Sequence, residues 1–389
     1  MVLQLFFEEL HHFEFQKSAR NCHDQRDILY DQISIHKDLF PNWQTADVVI
    51  FGVEEYRNSE KEISISEVPN FTNSIRQELY NLSFFSKDVH IADLGNLRLG
   101  NTLEDTLQRL AEVCEILINN NTLPVIIGGN HGLDYGQFRA YQNLEKFISV
   151  LNIDAFIDLQ PKGNLTPFTH IQQILLHEPN FLFDYNQLGV QQYLTTKSFS
   201  DTLQKLNFEI LNVGKMRENL QETEPMIRDA DMMSFDLAAL KKSVVPNCGA
   251  SPFGLTGEEA SQICWYAGLN EKLSSVGFYG FNPALPPDGQ TASVTAIMVW
   301  YFMEGFTQRK EEYSFKSNFH TKYIVGLEAF EQDLIFYKSK VSEKWWLEIG
   351  LNSEEFPNRN IVVPCSYSDY ETANKGVIPD RWLKGLDKV

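Results

Sequence analysis

The chain has 389 residues and a formal net charge of −19, enough length for one large α/β domain with additions or two smaller ones. The acidity disfavours nucleic acid and anionic membrane as partners, because phosphate binding depends on clustered Lys and Arg, and 43% hydrophobic with 13% aromatic residues argues against disorder. Five cysteines, at positions 22, 114, 248, 264 and 365, are odd in number and form no C-x-x-C pair, a pattern of reduced thiols in a cytoplasmic protein with no zinc site.

Residues 1–44 read as an N-terminal arm. Leu3, Leu5 and Phe7 alternate, as do Phe13 and Phe15, which predicts a hairpin. The opening apolar run stops after Phe7 and has no basic flank, so no secretory signal is expected. No stretch reaches the roughly 18 apolar residues of a membrane span. His11-His12 reads as a polar pair at a turn rather than a metal site. The first core strand is expected at 47–52, followed by a helix over 72–80 and a strand over 89–94, with His90 packed in the core.

Thr102 and Asp105 fit a capping box, and Leu103, Leu107, Leu110, Val113, Cys114 and Leu117 make one helical stripe. The run 124–127 then enters Gly128-Gly129-Asn130-His131, where the Gly pair lets the backbone turn and leaves His131 at a strand tip. A helix over 135–143 follows. The run 147–153 is a buried strand closed by Asp154, with Asp158 four residues on. This strand, helix, strand alternation is the signature of a parallel sheet with helices on both faces. The carboxyl ends of parallel strands are where ligands bind. Taken alone, Asp154 could equally cap the next segment while Asp158 is solvated.

Residues 160–164 form a loop, 170–176 a helix and 208–214 a strand. Lys215 and Arg217 follow that strand and suit surface salt bridges better than a substrate site. A charged helix over 222–231 precedes the strand 232–236, which ends in Asp236. Thr256 opens a helix, 276–279 is the last core strand, and 291–306 is a long apolar helix. Cys248 lies in the loop 239–254 with no partner His in sight, so it reads as inert. From 311 the composition shifts. Short pieces over 330–338 and 345–349, then a helix over 370–374, form a tail expected to lack a sizeable core and to pack on the main body through Trp345 and Trp346.

His131, Asp154, Asp158 and Asp236 converge if their strands lie side by side. One imidazole and three carboxylates suit a divalent ion such as Mn²⁺. Gly-Gly-Asn-His at 128–131, Asp-Ala-Phe-Ile-Asp at 154–158 and Ser-Phe-Asp-Leu-Ala at 234–238 resemble the ordered motifs of the ureohydrolases: arginase, agmatinase and formimidoylglutamase. Their pattern is Gly-Gly-Asp-His, Asp-Ala-His-x-Asp and Ser-Phe-Asp-x-Asp. The likeness covers about 45–310. With Lys344-Trp345-Trp346-Leu347-Glu348 and Pro364-Cys365-Ser366-Tyr367-Ser368-Asp369-Tyr370 it extends to arginase-like proteins of the Bacteroidetes labelled formimidoylglutamase.

The resemblance implies an arginase-like three-layer α/β fold over 45–310, with an arm at 1–44 and an extension at 311–389. It also implies a first Mn²⁺ on His131, Asp154, Asp158 and Asp236. The family's second Mn²⁺ uses a His where this chain has Phe156 and an Asp where it has Ala238, and neither Phe nor Ala coordinates a cation. A family Glu that helps hold the guanidinium falls at Gly280. His170 lies near the place of the proton-shuttling His, and it joins Asp158 as a candidate for a catalytic role. The expectation is a ureohydrolase fold with one metal position, catalytically silent or much impaired. Its tail and aromatic surface would meet a protein partner or a second copy of the chain. The competing expectation is a one-metal hydrolase of a guanidino or formimino C–N bond.

Overall fold

The structure is a computed structural model and describes residues 3–10, 13–19, 21, 27–58, 70–144, 146–160, 166–310, 312, 318–327, 333–352 and 357–387. His11-His12 and most of the loop after Gln160 lie outside these residues. Among the described residues ten strands form one sheet: β1 (Phe7–Glu8), β2 (Ser34–Ile35), β3 (Val48–Gly52), β4 (Ile91–Leu97), β5 (Leu123–Ile127), β6 (Ile148–Ile153), β7 (Leu182–Val190), β8 (Glu209–Asn212), β9 (Met232–Asp236) and β10 (Ser275–Tyr279). Their order is β1-β4-β3-β5-β10-β9-β6-β7-β8, with β2 also against β4. All pairings are parallel apart from β1 with β4.

The central strands are buried along their whole length, as a parallel sheet covered on both faces requires. Strand alternation divides their side chains between two cores. Val48 and Ile50 pack in one cluster with Ile75, Ile263 and Phe302. Val49 and Phe51 pack in the other with Leu110, Leu117 and Phe138. Helices Phe71–Leu79, Gly257–Leu269 and Gly289–Phe306 supply the first cluster. Helices Leu103–Asn119, Asp134–Arg139 and His170–Leu175 supply the second. The expected three-layer α/β arrangement is therefore present.

Local chemistry sets the helix ends. Helix Leu103–Asn119 starts in the expected capping box between Thr102 and Asp105, which satisfies two otherwise orphaned N–H groups. Its buried stripe includes Leu107, Leu110, Val113 and Leu117, each of which stabilises the fold by roughly 1.5–3 kcal/mol on burial. Thr256 and Glu259 make a second capping box for helix Gly257–Leu269.

Several expectations are corrected. The N-terminal alternation does not make a hairpin. Residues Leu3–Phe6 form a 3₁₀ turn, and Phe7–Glu8 pairs antiparallel with β4; Leu3 and Phe7 are buried and Leu5 is exposed. His90 is not in the core, because β4 begins one residue later. Its imidazole is 74% exposed near Asp47. Lys215 and Arg217 lie on a helix, Val213–Glu218, beyond β8. Strand β7 has no apolar signature, because the buried Asp184, Asn186 and Gln187 interrupt it.

The tail forms a second, antiparallel sheet of β11 (His320–Val325), β12 (Leu334–Ser339), β13 (Trp345–Asn352) and β14 (Pro357–Cys365). It has a small core of its own, built on Leu334, Phe336, Trp345, Leu347 and Trp382. Arg228 joins this sheet to the main one. Its guanidinium donates to the carbonyls of Trp345 (3.0 Å) and Cys365 (3.1 Å), pairs with Glu224 at 2.9 Å and lies 4.4 Å from the Trp346 ring. Lys344 to Glu224 and Lys384 to Glu209 add two more ion pairs across the junction.

Candidate metal centre

Strands β5, β10, β9 and β6 are neighbours, so their carboxyl ends form one short ledge. His131 follows β5, Gly280 follows β10, Asp236 ends β9 and Asp154 follows β6. The turn that delivers His131 needs its glycines. Gly128 and Gly129 have φ of +101° and +76°, and a Cβ on Gly128 would come within 2.9 Å of the Val53 carbonyl oxygen. Asn130 then accepts from the Gly132 N–H at 3.0 Å and starts the 3₁₀ turn that carries His131.

One ligand atom each from His131, Asp154, Asp158 and His170 lies within 4.8 Å of the other three, and all four residues are buried. His131 Nδ1 is 3.2 Å from Asp154 Oδ2, and His170 Nε2 is 3.4 Å from Asp158 Oδ2. Three of the four sequence-derived ligands are in this group, and the fourth, Asp236, reaches its edge. Asp236 stands beside the group, with Oδ2 3.1 Å from His131 Nδ1 and Oδ1 accepting from the Ala238 N–H. His170, read from the sequence as near the shuttle position, sits inside the cluster, fully buried. Lys215 and Arg217 take no part. Lys215 is exposed, and Arg217 pairs with Glu259 at 2.8 Å.

Two further residues escaped the sequence reading. His131 Nε2 lies 2.8 Å from Ser234 Oγ, Ser234 Oγ donates to Asp134 Oδ2 (3.3 Å), and His170 Nδ1 donates to the same Asp134 oxygen (2.8 Å). Both signals were present in the chain. Asp134 is three residues after His131, on the same side of a helical turn. Ser234 is two before Asp236, on the same face of β9.

The inward-facing atoms His131 Nδ1, Asp154 Oδ2 and His170 Nε2 have no hydrogen-bond partner. Buried polar atoms in that condition are costly, and nitrogen and carboxylate donors aimed at one point fit a divalent cation. Burial, then the charges of Asp236 and Asp158, pushes the Asp154 carboxyl up to about 8. Burial alone would lower both imidazoles. Asp236 and Asp154 instead raise His131 well above its ordinary value, and Asp134 raises His170 to about 9.

A cleft of about 360 Å³ opens onto this cluster, with His131, Asp158 and Asp236 among its walls. Phe156, Ala238 and Gly280 line the same cleft. Gly280 has φ of +92°, and a Cβ there would overlap the Asp236 carboxylate. Cys248 also faces the cleft. Its burial, with Asp236 and Asp288 nearby, raises its thiol well above the ordinary value, which leaves it a poor nucleophile.

The arginase family model matches residues 45–304. A formimidoylglutamase of Lysinibacillus sphaericus (strain C3-41) is 27% identical over 247 residues, 59% of this chain and 76% of the relative. One of Staphylococcus haemolyticus (strain JCSC1435) is 25% identical over 240 residues, again 59% and 76%. Among solved structures, Trypanosoma cruzi formiminoglutamase with Mn2+2 superposes with a TM-score of 0.63 at 20% identity, covering 73% of this chain and 100% of that one. Formimidoylglutamase from Bacillus subtilis subsp. subtilis str. 168 gives 0.64 at 18% identity, covering 78% and 97%. Those superpositions show the fold, and the family match spans more than half of the sequence: the chain belongs to the arginase family, within the ureohydrolase superfamily.

Proposed function

We propose that this chain keeps the ureohydrolase fold as a binding or scaffold protein, with the dinuclear manganese site of its relatives reduced to one cation position. The observation that carries this reading is that Phe156, Ala238 and Gly280 line one cleft. By resemblance these are two second-metal ligands and a substrate carboxylate. Their loss in one place removes both the second cation and the anchor for a cationic guanidinium. Fold does not carry function when the site has changed.

The proposed ligands of the remaining ion, Mn²⁺ by analogy with the Trypanosoma cruzi structure, are His131, Asp154 and Asp158, with Asp236 flanking. A divalent ion held there supplies Lewis acidity and water activation. The residues around it fix the two imidazoles and exclude bulk water. We further propose a main body over 45–310, with the arm at 1–44 and the extension at 311–389 as additions, and a cytoplasmic location. A protein partner or a second copy would meet the extension.

The second reading is a one-metal hydrolase of a guanidino or formimino C–N bond. The unpartnered donor atoms favour it, as does the likeness to formimidoylglutamases, and Asp158 or His170 would handle protons. Release of urea, ammonia or formamide from arginine, agmatine and formimidoylglutamate, measured with added Mn²⁺, separates the two. The scaffold reading expects no release above the protein-free blank. Release by wild type that disappears in Asp154→Ala would establish the hydrolase instead.

A further inference from the structure

The donor set in the structure differs from the one the family motifs imply. A histidine has joined it, and the hydrogen bonds say how that histidine is held. Ser234 Oγ donates to Asp134 Oδ2, so the proton between His131 and Ser234 belongs to His131 Nε2. His170 Nδ1 donates to Asp134 Oδ2 as well. One carboxylate, directly or through one hydroxyl, therefore takes the outer N–H of both imidazoles. The nitrogens left over, His131 Nδ1 and His170 Nε2, point inward at Asp154 and Asp158 and have no hydrogen bond. His131 is 1% exposed, while Asp154 and His170 are 0%.

Metal-ligating histidines almost always give their other N–H to a carboxylate, a carbonyl or water, which fixes the tautomer and strengthens the donor. Here both do so through Asp134. Two of the spacings also fit, as does the 3.1 Å from His131 Nδ1 to the flanking Asp236 Oδ2. Donors at about 2.0–2.2 Å from a tetrahedral ion stand roughly 3.3–3.6 Å apart, against 3.2 Å for His131 to Asp154 and 3.4 Å for His170 to Asp158.

We propose that His170 is a metal ligand, and that with His131, Asp154 and Asp158 it forms a mononuclear two-histidine, two-carboxylate centre oriented by Asp134. This rests on the one-cation reading above and deepens it. The addition of a second imidazole to the carboxylates changes the ion preferred. Imidazole donors suit Zn²⁺ and Co²⁺, whereas carboxylate-rich sets suit Mn²⁺, and affinity rises from Mn²⁺ to Zn²⁺ in the general order for nitrogen and oxygen sites. The centre would therefore take Zn²⁺ in preference to Mn²⁺. Asp134 is a positioning residue, because it holds His170 directly and His131 through Ser234.

The test uses the full chain, stripped with chelator and dialysed, and titrated separately with Zn²⁺, Co²⁺ and Mn²⁺. Expected are one Zn²⁺ per chain, weaker binding of Mn²⁺, and the intense visible absorption of four-coordinate Co²⁺. His170→Gln should lower Zn²⁺ affinity by at least the roughly 10- to 100-fold typical of losing an outer partner and abolish the Co²⁺ band. Asp134→Asn keeps the shape of the network, so it serves if His170→Gln misfolds, and it should lower affinity by about 10- to 100-fold. Thermal unfolding of the metal-free variants checks that folding is intact. Zn²⁺ affinity and a Co²⁺ spectrum unchanged in both variants would overturn the proposal, as would the absence of cation binding in wild type. Two ions per wild-type chain would overturn the one-cation reading, and the response of His170→Gln would still decide the role of His170.

Discussion

Gly280 shows why a missing side chain in this site is not simply restored. At φ +92° a non-glycine residue is strained by about 1–3 kcal/mol, and its Cβ would overlap Asp236. Gly280→Ala should lower the denaturant midpoint accordingly and weaken cation binding by displacing the Asp236 carboxylate. Gly280→Glu should not confer guanidinium binding, because the turn after β10 holds this residue at positive φ against Asp236. Equal stability of wild type and Gly280→Ala would contradict this.

The histidines give a pH prediction with a definite sign. His170 is raised to about 9 in the folded chain, against about 6.5 unfolded. The stabilisation from its charged form is complete below about 6.5 and is lost as pH rises through about 9. Asp154, raised to about 8, holds its proton in the folded state over about 4 to 8, so its ionisation acts in the same direction. The Tm of metal-free protein should therefore fall between pH 6.5 and 9. Cation binding should strengthen over the same range, because the inward nitrogens must give up their protons. A metal-free Tm that rises over that interval would refute the assignment.

At the scale of elements, β3, β5, β6, β9 and β10 were legible because each is a short, mostly apolar run bounded by turn residues. The helix after Thr102 was legible because the cap and the stripe agree. Strand β7 was not, since buried Asp184, Asn186 and Gln187 satisfy one another and their surroundings only once the sheet exists. His131, Asp154 and Asp158 could be read from strand ends, where parallel topology places ligands. The place of His170 depends on how helix His170–Leu175 docks against the strand tips, a long-range fact that no local pattern records.

The same ledge bears on the proposed second metal position. Phe156 and Ala238 each follow the aspartate of their own strand by two residues, and the N–H of each already bonds to that aspartate. Phe156→His with Ala238→Asp changes side chains without disturbing those turns. The double variant should raise bound Mn²⁺ from one towards two per chain, read by metal analysis after desalting. An unchanged ratio in a folded double variant would mean that the cleft has lost more than its ligands.

For the whole molecule, the junction between the two sheets is anchored by one buried guanidinium. Arg228 is 3% exposed, and removing it leaves the carbonyls of Trp345 and Cys365 without their donor. Breaking a buried charged contact of this kind costs about 3–5 kcal/mol. Arg228→Ala should therefore speed release of the segment after residue 310 under limited proteolysis, while Arg217→Ala, on a pair that is 41% and 20% exposed, should not. Indistinguishable cleavage of wild type and Arg228→Ala would show that other contacts hold the tail.

The most direct test of the whole account is a count of ions on a chain that still folds. Wild-type protein is loaded with excess Mn²⁺, desalted and analysed for metal beside Asp154→Ala, and the pair is then repeated with Zn²⁺. No more than one ion per wild-type chain is expected with either metal, and a clear loss in Asp154→Ala. Two tightly held Mn²⁺ ions per wild-type chain, or equal metal content in wild type and Asp154→Ala, would contradict it.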